Sequence, residues 1–157
     1  MARRPVASKE SDDRLVLAVY SADRLVRSQL HMALGDRLAA DLPAVRLEEF
    51  ATSNALVDAL DAGGIDCLIL DAESSPLGGI GLAHQVRDET VDPPPIVLLV
   101  ARMVDAWLAT WSQADAVVQL PVDPLTLPET VAGVIRAARA GTLASHVTTV
   151  PGAASRH

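Results

Sequence analysis

The chain has 157 residues, of which 50% are hydrophobic and only 3% aromatic, and 13 Lys and Arg against 20 Asp and Glu give a formal net charge of −7. That length suits one domain whose core must be built from Ala, Val, Leu and Ile. The acidic balance argues against a nucleic-acid surface, which wants clustered basic side chains. No apolar run reaches bilayer-crossing length, so no direct membrane insertion is expected. Met1-Ala2-Arg3-Arg4-Pro5 is not followed by the apolar segment of a secretory signal. The single cysteine, Cys67, lies in an apolar run; it excludes a disulfide framework and suits a reducing cytoplasm. It reads as a small buried hydrophobe. Lys9 is the only lysine.

Residues 1–13 are polar and mixed in charge and read as a disordered tail. Leu15-Val16-Leu17-Ala18-Val19 predicts a first buried strand, and Leu25, Leu30, Leu34 and Leu38 then recur at helical spacing, with Ser21 or Asp23 as N-cap. Val45, Leu47 and Phe50 mark a second short strand. Thr52-Ser53-Asn54 caps a helix carrying Leu56, Val57 and Leu60, which Gly63-Gly64 ends.

Cys67-Leu68-Ile69-Leu70-Asp71 predicts a third strand, buried on both faces and ending in one carboxylate. A loop over Ser74–Gly79 precedes a helix marked by Ile80, Leu82, Ala83 and Val86. Pro93-Pro94-Pro95 forces an extended approach into the fourth strand, Ile96–Val100. A short helix around Asp105–Ser112 and a weak fifth strand, Ala116-Val117-Val118, follow. Val131, Val134, Ile135 and Ala138 form the inner stripe of a last helix ended by Gly141, and residues 141–157 read as a second disordered tail. Within that tail, Val147–Val150 has the composition to add a strand or lie in a groove.

Five alternations of strand and helix imply one α/β domain over residues 14–140, a doubly wound five-stranded parallel sheet in flavodoxin-like order. In such sheets the working site lies beyond the carboxyl ends of the strands, which places Asp71 where a functional acid would sit.

Asp71-Ala72-Glu73-Ser74-Ser75-Pro76-Leu77-Gly78-Gly79-Ile80, continuing gaplessly to Val86-Arg87, resembles the acceptor loop of the receiver domain of bacterial response regulators. Pro95–Ala101 resembles that family's fourth strand, and Ala114–Pro124 resembles its stretch Ala-Asp-Asp-Tyr-Leu-x-Lys-Pro-Phe-Asp-Pro. The resemblance implies a (βα)5 receiver. Asp71 would be the phospho-acceptor, with two first-strand acids holding magnesium, a lysine and a Thr or Ser meeting the phosphoryl group, and an aromatic switch residue. A phosphoryl group can meet a carboxylate only where cations offset the charge. Here the acidic pair aligns with Tyr20-Ser21, the Thr or Ser with Val100, the aromatic with Val117 and the lysine with Leu120. Lys9 is too far away to restore the ammonium.

Two readings of Asp71 stay open: an acceptor with rebuilt metal ligands, for which Asp23 and Glu73 are the candidates, or an inherited acid capping local N–H groups or solvated. The second is preferred. Trp107 and Trp111 lie four apart on one helical face and, with Leu108, form a candidate partner-docking patch on the side where receivers commonly dock. His31, His84, His146 and His157 show no metal spacing, and Ser74-Ser75 lacks a nucleophile-elbow frame. No Gly-rich turn follows the first strand for a flavin or nucleotide.

The expectation is therefore an atypical receiver without an output domain or cofactor. It would be no enzyme but a phosphorylation-independent accessory module docking on another protein or a multi-subunit, even membrane-associated, assembly. The alternatives are a magnesium-dependent two-component phospho-switch, a small flavodoxin-like enzyme and a homodimeric interaction module.

Overall fold

The computed structural model describes residues 13–74, 79–90, 92–102, 113–141 and 148–151. Its strands are β1 (Leu15–Tyr20), β2 (Val45–Phe50), β3 (Cys67–Asp71), β4 (Ile96–Val100), β5 (Ala116–Gln119) and β6 (Thr148–Val150). The described helices are α1 (Arg24–Leu34), α2 (Ser53–Ala62), α3 (Gly79–Glu89) and α4 (Thr126–Ala140). All strands run parallel in the order β2-β1-β3-β4-β5-β6. The order reverses between β1 and β3, so the crevice at their carboxyl ends is the topological switch point of the sheet. The doubly wound parallel sheet in flavodoxin-like order is thus present.

Alternation along each strand divides the core in two. Leu15, Leu17, Val19, Cys67, Ile69, Val97, Leu99, Ala116 and Val118 face a cluster that also takes Leu30 and Leu34 of α1 and Leu127, Val131 and Ile135 of α4. Ala18, Tyr20, Leu68, Leu70, Ile96, Leu98, Val100 and Val117 face the other, with Leu56 of α2 and Leu82 and Val86 of α3. Because β3 and β4 are buried along their whole length, each fully buried Leu or Ile contributes roughly 1.5–3 kcal/mol of transfer free energy.

Local chemistry sets the element ends. Asp23 Oδ1 accepts the Leu25 N–H at 2.9 Å to cap α1, and Thr52 Oγ1 accepts the Ala55 N–H at 3.2 Å to cap α2. Gly141 ends α4 in the left-handed region at φ 72°, where a side chain would be strained. At the amino ends of the strands, Asp66 Oδ2 accepts the Val16 N–H and Asp115 Oδ2 accepts the Ile96 N–H, each at 2.8 Å. Arg87 also donates to Asp115, tying α3 to the start of β4.

Three sequence expectations need correction. Leu25 is 63% exposed, because it sits beside the cap on the outer side of α1. Leu38 is buried but lies beyond the end of α1. The sheet has six strands, not five: Thr148–Val150, inside the stretch read as a disordered tail, pairs with β5, as its run of β-branched residues favours. The helix expected around Asp105–Ser112 falls outside the described residues, as does most of the amino-terminal tail.

Candidate functional site

β1 delivers Tyr20 into the α2–α3 cluster, so by alternation the next residue, Ser21, turns to the opposite side, the side on which β3 presents Asp71. There the Ser21 hydroxyl donates to Asp71 Oδ2 at 2.7 Å. Ser74 Oγ donates to the same oxygen at 3.3 Å, and the Glu73 N–H reaches Asp71 Oδ1 at 2.9 Å. Ser21 Oγ in turn accepts the Asp23 N–H at 3.0 Å, and Ser74 Oγ accepts the Ala22 N–H at 2.8 Å. The loop after β1 and the loop after β3 are therefore laced together through Asp71 and two hydroxyls.

Ser21, Asp71 and Ser74 are the buried polar or charged side chains among the described residues, and they form this one cluster. A carboxylate buried to 2% exposure needs its lone pairs met, and here neutral O–H and N–H donors meet them. Beside the cluster, Arg27 Nη1 donates to the Ser21 carbonyl at 2.6 Å, and Arg27 Nε pairs with Glu49 at 3.2 Å.

The other aligned positions go to the apolar core. Tyr20, Val100 and Val117 are buried in the α2–α3 cluster, and Leu120 packs against the α1–α4 cluster. Burial raises the pKa of the Tyr20 phenol, and the Asp71 charge raises it further. Cys67 is a buried free thiol. Its pKa is pushed far up by burial, with the Asp115 and Asp66 charges adding to the effect.

The receiver resemblance implies magnesium beside the acceptor, and the residues present do not fit that ion. Ser21 spends its proton on Asp71 and accepts from Asp23, so its hydroxyl is committed where a first-strand acid would offer lone pairs. Of the candidate ligands, Asp23 Oδ1 caps α1, while Glu73 Oε2 accepts the Ala101 N–H at 3.3 Å. Among the described residues no group of three or more His, Cys, Asp and Glu is placed to hold a metal. Trp107, Leu108 and Trp111 lie outside the described residues. Sequence reasoning passed over Ser74 as a partner of Asp71; its signal was a hydroxyl three residues past the acid, within a turn closed by the Ser74 N–H on the Asp71 carbonyl at 3.2 Å. Arg27 carried no comparable signal.

No protein-family model matches the chain. Curated relatives do: the uncharacterized response regulatory proteins of two strains of Mycobacterium tuberculosis are each 44% identical to it over 128 residues, 82% of this chain and 96% of theirs. The chain belongs to the response regulators. Solved receiver structures share the fold of this response regulator. The signal receiver domain of an HD domain-containing protein from Pseudomonas fluorescens Pf-5 matches with a TM-score of 0.68 at 14% identity, covering 83% of this chain and 93% of that one. A CheY-like response regulator receiver domain protein from Methanospirillum hungatei JF-1 gives 0.65 at 12% identity, covering 82% and 98%. These identities speak for the fold alone. No helix among the described residues of the response regulator is long and apolar enough to cross a membrane.

Proposed function

We propose that this response regulator is a phosphorylation-independent receiver that acts by docking on another protein and is not an enzyme. The reading rests on the way Asp71 is satisfied: its oxygens are held by the Ser21 and Ser74 hydroxyls and the Glu73 amide, with no cation required. Leu120 stands where an ammonium would be needed and is packed against the core instead. A phosphoryl group on Asp71 would bring further negative charge to a spot where the aligned positions supply neither metal ligands nor a fixed cation. With the switching chemistry lost, what remains for selection to use is the surface of the domain. The patch around Trp107, Leu108 and Trp111 belongs to this proposal as a docking element.

A titration with beryllofluoride and magnesium, followed by NMR of the Asp71, Val100 and Leu120 amides, tests it. The expected outcome is no shift at millimolar ligand. Saturable shifts centred on Asp71 would make the chain a working phospho-switch and end this reading.

A further inference from the structure

β6 occupies the edge of the sheet next to β5, through the register Ala116↔Thr148, Val117↔Thr149 and Val118↔Val150. It is three residues long and is followed at once by Pro151, which has no N–H to extend the ladder. Val150 packs against the same apolar cluster as Val118, so the added strand is seated by one side chain as well as by backbone pairing. The Leu120 N–H reaches the Val100 carbonyl of β4 at 2.8 Å. Successive amides along a strand point to opposite sides, so the Val118 N–H also faces β4 and the Val117 N–H faces β6. Without β6, that edge would present unpaired N–H and C=O groups beside an apolar seat, which is the arrangement that captures extended segments of other chains.

We propose that the β5 edge is a strand-addition site for an extended, β-branched segment of a partner protein, and that β6 is the chain's own exchangeable occupant. The inference deepens the docking reading and rests on it for the partner being a protein. The favoured occupant runs parallel to β5 and places a Val- or Ile-sized side chain beside Val118, as Val150 does. A tethered three-residue strand is held mainly by its high local concentration. A partner segment of five or six residues makes more ladder bonds and displaces it without disturbing the rest of the sheet.

The test uses the full chain, its Val150→Pro variant and its Val150→Asp variant, with a fluorescein-labelled peptide of the chain's own residues 146–151 as probe. Val150→Pro removes the β6 amide that faces β5, and Val150→Asp makes its seat costly. Both are expected to speed hydrogen exchange at the Val117 amide by about tenfold or more. Both are also expected to bind the peptide saturably at concentrations where the unaltered chain binds none. Unchanged Val117 exchange in both variants would show that β6 does not close the edge. An opened edge that takes no peptide at millimolar concentration would also overturn the proposal. A doubled solution mass in the variants would assign the edge to a second copy and overturn the choice of partner. None of these readouts involves Asp71, so the inference can fail while the phosphorylation-independent reading stands, and the reverse.

Discussion

Ser21 and Asp71, fifty positions apart in the chain and at the carboxyl ends of neighbouring strands, share a hydrogen bond of 2.7 Å that is closed off from solvent. Removing its donor tests how far Asp71 depends on neutral partners. Ser21→Ala leaves Oδ2 with only the 3.3 Å contact from Ser74 among the hydrogen bonds described. A loss of about 1–3 kcal/mol is expected, read from urea unfolding.

Ser21→Asp makes the complementary test. A second carboxylate beside buried Asp71 repels it, so the variant is expected to melt below the parent chain. Millimolar magnesium is then expected to raise its Tm while leaving the parent unchanged. Equal magnesium responses would mean that Ser21 does not decide the charge balance of the site.

Asp115 holds both Arg87 and the Ile96 amide, and the Asp115 and Arg87 side chains are only 10% and 17% exposed. Asp115→Ala strands a largely buried guanidinium and an amide together. Destabilisation of about 3 kcal/mol is expected in chemical unfolding. Arg136→Ala at the exposed pair with Asp41 is expected to change almost nothing.

Cys67 gives the alkaline limb of stability a definite sign. Its thiol pKa is raised in the folded chain, whereas an unfolded thiol ionises near about 8.5. The stabilisation is complete below that pH and falls as pH rises above it, because the unfolded chain then releases a proton the folded chain keeps. The slope approaches about 1.4 kcal/mol per pH unit for this one group. Cys67→Ala should flatten the Tm profile between about pH 8.5 and 10, and native Cys67 should resist thiol reagents until the chain unfolds.

The architecture was legible because β1, β3 and β4 are short apolar runs separated by helical spacing, which only a sheet covered on both faces accommodates. Asp71 was legible for the same reason, as the one acid ending such a run. Leu25 misled because periodicity counts apolar residues without knowing that a cap turns the first of them outward. Ser74 was hidden because its role depends on a turn that brings it back to Asp71 and across to Ala22, a contact 52 positions away. β6 was half legible: Val147–Val150 had the composition to add a strand, but three β-branched residues amid polar and small ones form one only when an edge such as that of β5 is there to receive them.

Tyr20 is the chain's single tyrosine, and its phenol titrates under the influence of Asp71. In optical terms the protein carries one phenolate reporter, on the residue next to Ser21. Burial holds that phenol's pKa up and the Asp71 charge adds to it, so neutralising the Asp71 carboxylate is expected to move the one phenolate absorbance curve to lower pH, with no label and no knowledge of the partner.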